Sequence, residues 1–412
     1  MKHFSMLLLS LCTSIGIIQA QDFQYNFQAT QVKFSGAGSI AILEDSLATV
    51  YSTAHWRNTG LREPAGFVSG TTMSATANFE FYCTKAPDSI SIRGLGNDTL
   101  NFPLQTVALV PGTGLFTCTY PITPASKAFP AGIVNYYAPF NIVWQISFDK
   151  GLTWLSADTT DHKIYVTKSA PMAQTTNFKY FHTLLELSCK NAIGQTTDTG
   201  IISHCWSEFL DHVVLNYKGD SLFYYKTFNT PYTSLPNLLR YRNAECYTFA
   251  QLFLSLIKIQ GVALTNNYVY ITPKNDSTFR GTTKGIINRF LVKNWKFGAK
   301  SDSSACPGFP YRNTYSGSYI TPTGYVFTTA DVNDQIGIDG QCNPNPSSFF
   351  NNHQISKIGG VYYDACYGVT FKALTDIKTS AFDAWGVSFS SGTYNFTTDM
   401  SKTDLTETIT TF

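Results

Sequence analysis

From Asn243 to Phe253 the chain reads NAECYTFAQLF, and the helix predicted by this stretch decides how the rest of the chain is interpreted. Phe249, Leu252 and Phe253 recur at helical spacing, which indicates one apolar face packed against a core. With Asn243 as the expected N-cap, Cys246 falls in the first turn. There the unpaired backbone amides and the helix dipole stabilise a thiolate, and the Cys246 N–H can donate to a developing oxyanion. The stretch therefore predicts a nucleophilic cysteine at a helix start.

A second interpretation makes Cys246 a small buried residue or half of a disulfide, because thiols in an oxidising compartment usually pair. The chain has 9 cysteines, and eight remain once the N-terminal segment holding Cys12 is removed. If Cys246 stays a free thiol, an odd number is left, so a second cysteine must also stay unpaired; Cys366 is the expected one. Proximity in the sequence then favours three pairs, which are Cys83–Cys118, Cys189–Cys205 and Cys306–Cys342.

A hairpin supplies possible partners for the thiol. The segment 352–367 reads NHQISKIGGVYYDACY, and a two-residue turn at its glycines pairs Ile355 with Asp364 and His353 with Cys366. His353 and Asp364 then become diagonal neighbours on one face of the ribbon. Asp364 can accept from one ring nitrogen while the other faces a thiolate, which is the arrangement of a base and the carboxylate that orients it. In isolation the same pattern also fits a surface hairpin with no chemical role.

These two segments together resemble the transglutaminase-like superfamily, which has a papain-like thiol fold. The stretch from Cys246 through Gly261 is similar to the family's cysteine, helix and Gly-Val block, although Ala244 and Glu245 replace the usual residues before the cysteine. The Asp-Ala-Cys triplet at Asp364 is similar to one in peptide:N-glycanases. The resemblance covers roughly 175–375 and implies that Cys246 is the nucleophile, His353 the base and Asp364 the orienting residue.

The N-terminal part has a different pattern. Short segments such as 77–82, 90–93 and 143–148 alternate apolar and polar residues, with turns rich in Gly, Pro, Asp and Asn between them. This spacing predicts an immunoglobulin-like β-sandwich over 21–170. Helical spacing begins near 177, after a linker at 168–171. We therefore expect an α+β protein whose second domain, 171–412, is the transglutaminase-like one.

Composition and the N-terminus indicate where the protein works. Basic residues number 29 and acidic residues 27, so there is no global field that would attract nucleic acid. Residues 1–20 have a basic start, an apolar stretch too short to cross a bilayer and a small-residue cleavage site, which predicts a signal peptide. No later stretch is long enough to span a membrane. We expect a secreted or periplasmic protein without a membrane span.

The expected activity is that of a thiol enzyme acting on an amide bond. The candidates are hydrolysis of a peptide or glycoasparagine bond and acyl transfer to an amine, with a protein, peptide or glycopeptide as substrate. No phosphate-binding loop and no histidine or cysteine pair at metal spacing occurs, so neither a cofactor nor a metal is expected. The alternatives are a catalytically inert transglutaminase-like scaffold in a secreted binding or structural protein, and adhesion through the sandwich.

Overall fold

The structure is a computed structural model. It describes residues 25–411 apart from 47–48, 84–86, 97–99, 110–113, 123–128, 173–179, 227–231, 264–266, 281–282, 293–317, 321–323, 329–338, 345, 347–348, 391–392 and 398–399. The predicted signal peptide at 1–20 lies outside the described residues. The fold is mixed α+β with about 47% strand and 18% helix, which confirms the predicted class. No helix among the described residues is long and apolar enough to cross a membrane.

The N-terminal part consists of strands. They are β1 Tyr25–Ser35, β2 Ser39–Ile40, β3 Ile42–Leu43, β4 Val50–Tyr51, β5 Ala54–Arg57, β6 Ala65–Val68, β7 Ser74–Cys83, β8 Ser89–Leu95, β9 Phe102–Ala108, β10 Gly114–Ile122, β11 Asn135–Ser147 and β12 Leu155–Thr167. One sheet has the order β10-β7-β1-β5 and the other β2-β6-β12-β11-β8-β9. Alternating residues of β7 are buried, so the two sheets enclose a core in which Phe79 meets Trp144 edge-on at 5.0 Å. The strands predicted in this region are confirmed.

Helices begin after the sheets, as the change in spacing predicts. They are α1 His182–Asn191, α2 Asp198–Ser207, α3 Leu235–Tyr241, α4 Cys246–Lys258 and α5 Leu374–Ala381. The helix α4 is almost entirely buried because α1, α2, α3 and a strand hairpin pack around it. Gly261 follows its end with a φ of +72°, the expected left-handed conformation. Glycine is also required there for space, because Ser169 and the Ala170 carbonyl occupy the position of a Cβ.

The remaining strands surround the helices. They are β13 Phe223–Tyr224, β14 Asn243–Ala244, β15 Asn267–Pro273, β16 Ser277–Arg280, β17 Thr283–Val292, β18 Ser318–Ile320, β19 Gly324–Thr328, β20 Phe349–Phe350, β21 His353–Ile358, β22 Val361–Asp364, β23 Val369–Phe371, β24 Phe382–Ser390, β25 Thr393–Thr397 and β26 Leu405–Thr411. One sheet has the order β23-β22-β21-β15-β26 and packs β21 against α4. A second contains β16, β17, β24, β25, β19 and β18, and β20 pairs with β17.

The N-terminal sheets and the helical part are joined by a packed junction. The core around α4 also includes Ile42, Leu43 and Tyr165 from the N-terminal strands. Hydrogen bonds also cross this junction. The Asp45 carboxylate accepts from the Thr183 hydroxyl at 2.6 Å and from the Thr183 backbone amide at 3.2 Å. The boundary at 170/171 stays a prediction, since the two parts share this core.

The expected disulfides are not formed in the described part of the chain. Cys189 and Cys205 are both buried free thiols, so their predicted pairing is wrong: Cys189 Sγ lies against Gln260 and Cys205 Sγ against Ser188. In the β7–β10 ladder Cys118 lies opposite Phe79, four residues from Cys83. That offset of about 13 Å exceeds the span of a disulfide. The third pairing involves Cys306, which lies outside the described residues.

Candidate functional site

Cys246 is the first residue of α4. The N-cap is Glu245 rather than Asn243, so the predicted cap is wrong by two residues. Asn243 belongs instead to β14, where its side-chain oxygen accepts from the Lys226 amide at 2.8 Å. The correction moves Cys246 to the very start of the helix, closer to the unpaired amides that stabilise an anion. Its thiol is free and 5% exposed.

The glycine hairpin has the predicted register. Ser356 pairs with Tyr363 and the two turn glycines have φ of +56° and +84°, as a two-residue turn of this type requires. His353 and Asp364 therefore share a face, and the imidazole donates from Nε2 to the Asp364 carboxylate at 2.7 Å. The predicted contact between these two residues is present in the structure.

Burial lowers the pKa of the same imidazole, while Asp364 and then Cys246 raise it, so the Cys246 sulfur lies within electrostatic reach of His353. With Nε2 committed to Asp364, Nδ1 is the nitrogen that remains for the sulfur. A side-chain contact holds the two elements in place: the Ser356 hydroxyl on β21 donates to the Ala250 carbonyl on α4 at 3.2 Å. The three residues that the sequence predicts as a site are thus brought together from a helix start and two strands.

Electrostatics favour a protonated His353. Burial alone lowers the pKa of this imidazole, but the carboxylate of Asp364 and the sulfur of Cys246 act in the opposite direction and the pKa is raised. The rings of Phe350 and Tyr367 lie 5.7 and 6.0 Å from the imidazole and shield it from water. A buried imidazole beside a carboxylate is thus held away from water with its charged form favoured.

Cys366 is a second thiol at this site. Its Sγ lies 3.9 Å from the Cys246 carbonyl, and its amide donates to the other Asp364 oxygen at 3.1 Å. Burial, followed by the charge of Asp364, raises its pKa well above the ordinary value, so the thiol stays protonated. Ligand atoms of His353, Asp364 and Cys366 lie within 4.8 Å of one another. Both Asp364 oxygens and His353 Nε2 are already engaged, and metals bind the thiolate, so this donor set suits a hydrogen-bonded pair better than a cation.

Tyr225 is a site residue that the sequence analysis missed. It follows β13 with a φ of +49°, which is unusual for an aromatic residue and occurs mostly where tertiary structure imposes it. Its amide donates to the Ala244 carbonyl at 3.0 Å, two residues before Cys246. Burial first, and then the charge of Cys246, raise the pKa of its phenol, which therefore remains a hydrogen-bond donor. The tyrosine pair 224–225 carries no signal in the sequence beyond its aromatic character.

A loop at 340–343 makes hydrogen bonds to Tyr224 and to Tyr225. The side-chain NH2 of Asn343 donates to the carbonyls of Tyr224 and Tyr225, both at 2.8 Å, and the Gln341 backbone carbonyl accepts from the Tyr224 backbone amide at 2.9 Å. The Gln341 amide also donates its N–H to the Cys366 carbonyl at 3.0 Å. This segment lies in the long connection between Cys246 and His353, so part of that connection supports the site.

Trp206 lies away from the thiol. Its ring packs edge-on against Phe253 at 5.1 Å and Tyr363 at 5.0 Å, about two helical turns along α4 from Cys246. A core role fits this position better than donation to an oxyanion.

No family model matches the chain, and no curated protein matches it in sequence.

Proposed function

We propose that this protein is a thiol enzyme of the transglutaminase-like superfamily that acts on an amide bond. The observation that carries the proposal is the convergence of Cys246, His353 and Asp364, from a helix start and two strands, on one buried site. The order of the three residues and the placement of the cysteine at a helix start support the family as well. Peptide or glycoasparagine hydrolysis is the leading activity, and acyl transfer to an amine is the other.

In the proposed reaction the Cys246 thiolate attacks the amide carbonyl, and the carbonyl electron pair moves onto its oxygen. The Cys246 amide and the Tyr225 hydroxyl donate to that oxyanion. When the intermediate collapses, the C–N bond breaks and His353 gives its proton to the leaving amine. Neutral His353 then takes a proton from the attacking water or amine, and the released acyl group leaves Cys246 as a thiolate.

The N-terminal sheets and the location are part of the same proposal. Two sheets that enclose one core support an immunoglobulin-like sandwich over 21–170. The apolar N-terminal segment supports a secreted or periplasmic protein. Because Cys189 and Cys205 are free thiols, they do not support a disulfide that stabilises the second domain.

The test uses a denatured N-glycosylated protein as substrate, with and without a small primary amine. Mass spectrometry separates the outcomes, since peptide hydrolysis gives new carboxyl termini, deglycosylation converts Asn to Asp and acyl transfer attaches the amine. We expect one of these products from the wild type and from the matched control Cys205→Ala, a free thiol on α2, and none from Cys246→Ala. Equal product from wild type and Cys246→Ala would remove the enzyme proposal.

One observation favours the inert-scaffold alternative. Cys246 is only 5% exposed and His353 only 2%, so a substrate reaches the sulfur only if the surroundings open. A binding or structural role is supported if none of the three products forms while the wild type remains folded. The same assay therefore decides between the two functions.

A further inference from the structure

Strand β26, Leu405–Thr411, forms one edge of the sheet that carries His353. It pairs with β15 in an unbroken antiparallel register, and β15 pairs in turn with β21. On its other side β26 has no strand partner and no backbone hydrogen bond within the described part of the chain. Alternate residues of an antiparallel edge strand direct their N–H and C=O groups away from the sheet, so β26 presents a row of unpaired backbone groups.

This edge is open to solvent. Residues 408–411 are all exposed, and Ile409 is the one large apolar side chain among them, at 47% exposure. Leu405 at the start of the strand is buried, so the strand is anchored at that end while its last four residues remain accessible. Threonine and isoleucine are residues that favour strand pairing.

The other sheet edges among the described strands are protected against pairing. Strands β2, β5, β16, β18 and β23 are two to four residues long. The longer edge strands β9 and β10 contain Pro103 and Pro121, and β9 also has a shift in register. Short length, proline and bulges are the usual means of preventing edge-to-edge association. Strand β26 has seven residues, no proline and no shift in register.

A charged side chain on the edge would have the same protective effect, but the one charged residue of β26 is engaged within its own sheet. The Glu407 carboxylate accepts from the Lys357 ammonium at 3.1 Å and from the Tyr362 hydroxyl at 2.8 Å. The other six residues of the strand are leucine, isoleucine and threonine. None of the usual protective features therefore remains on β26, and a further strand is the cover that its backbone groups fit.

The sequence of β26 is complementary to itself. In an antiparallel pair centred on Ile409, the two Ile409 side chains lie opposite each other and Thr408 lies opposite Thr410. Both kinds of cross-strand pair are stabilising. Glu407 then lies opposite Thr411, which keeps the two Glu407 side chains about 13 Å apart along the strands. No like charges meet in this register.

We propose that β26 pairs with β26 of a second copy of this chain, antiparallel and about a twofold axis at Ile409. The two five-stranded sheets then join into one. Each copy uses its open edge against the same edge of the other, so assembly stops at two chains. Because each copy contributes a single strand, we expect a weak dimer with a dissociation constant of roughly 1–100 µM.

The inference does not rest on amide chemistry at Cys246. Cys246→Ala is expected to dimerise as the wild type does, so failure of the enzyme proposal and failure of this one are separate results.

The first test is sedimentation velocity of the full chain under reducing conditions, over about a hundredfold range of concentration around the expected dissociation constant. We expect the wild type to change from monomer to dimer. Ile409→Lys places two like charges opposite each other and removes the apolar pair, so dimerisation should weaken at least tenfold. The matched control is Ile193→Lys, at a 51% exposed isoleucine between α1 and α2, which should dimerise as the wild type does.

Three results of this experiment would overturn the proposal. They are a wild type that stays monomeric at every concentration, an assembly that grows beyond two chains, and a dimer that Ile409→Lys leaves unchanged.

The second test examines the register by cross-linking. Opposed side chains in an antiparallel pair have Cβ atoms about 5 Å apart, close to the separation that a disulfide spans. The variant Ile409→Cys, oxidised with glutathione disulfide in the full chain, should give a peptide that links position 409 of one copy to position 409 of the other. Ile193→Cys should give no such symmetric link. Absence of the 409–409 peptide overturns the pairing about Ile409, and this result decides the matter alone if Ile409→Lys fails to fold.

Discussion

The imidazole of His353 donates to the Asp364 carboxylate at 2.7 Å, and the two side chains are 3% and 1% exposed. Because Nε2 is engaged in this hydrogen bond, the ring can contact the Cys246 sulfur only through Nδ1. The second Asp364 oxygen accepts the Cys366 amide, which keeps the carboxylate from turning away. A single hairpin register therefore sets the orientation of the proposed base.

Replacing Asp364 is expected to impair the reaction more than substrate binding. In Asp364→Asn the amide no longer stabilises the imidazolium and can favour the wrong tautomer, so kcat should fall about a hundredfold or more with little change in KM. Steady-state kinetics on the identified substrate measure this, with Asp404→Asn at an exposed ion pair as the control. A rise in KM with an unchanged kcat would contradict the orienting role.

The stability contributed by His353 should depend on pH in a defined direction. Its pKa is raised in the folded protein, above an unfolded value of about 6.5. The contribution is therefore complete below about pH 6.5 and is lost as the pH rises through the folded pKa. We expect the unfolding free energies of the wild type and His353→Gln, measured with urea, to differ less as the pH rises. A difference that grows with pH would mean that the pKa of His353 is lowered instead.

Tyr225 is expected to act through its hydroxyl. Tyr225→Phe keeps the ring and the backbone, so loss of one oxyanion donor should lower kcat by about tenfold to a hundredfold, while the thermal unfolding midpoint changes little. Tyr241→Phe, at a tyrosine that is 45% exposed, is the matched control. An unchanged kcat would assign Tyr225 a packing role only.

The thiol state of the folded protein is a further prediction. Cys189, Cys205, Cys246, Cys342 and Cys366 are free thiols in the structure. Alkylation after denaturation without reductant, followed by peptide mapping, should label all five. A peptide that links Cys189 to Cys205 would restore the pairing expected from the sequence and contradict the structure.

Local patterns were enough to predict much of the site. The two glycines fixed a hairpin register, because a two-residue turn leaves no choice of pairing, and that register placed His353 beside Asp364. Helical spacing predicted α4, but the cap was misplaced because Asn243 is a better capping residue than Glu245 while tertiary pairing holds it in β14. Tyr225 was missed because a parallel pairing between β13 and β14, which are distant in sequence, brings its backbone beside Ala244, two residues before Cys246.

The disulfide predictions failed for a related reason. Nearness in the sequence says little about which way a side chain points once a helix is packed. Cys189 and Cys205 lie in the same core, yet each sulfur contacts a different polar partner.

The most direct measurement of the central claim is the alkylation rate of Cys246 by iodoacetamide at about pH 6, where an ordinary thiol is almost entirely protonated. Cys342, which is half-buried rather than buried, is the internal reference in the same peptide map. The account predicts that Cys246 reacts faster than Cys342 in the wild type, although it is less exposed, and that His353→Gln abolishes the advantage. A Cys246 that reacts more slowly than Cys342, or at the same rate with and without His353, would contradict an activated thiol.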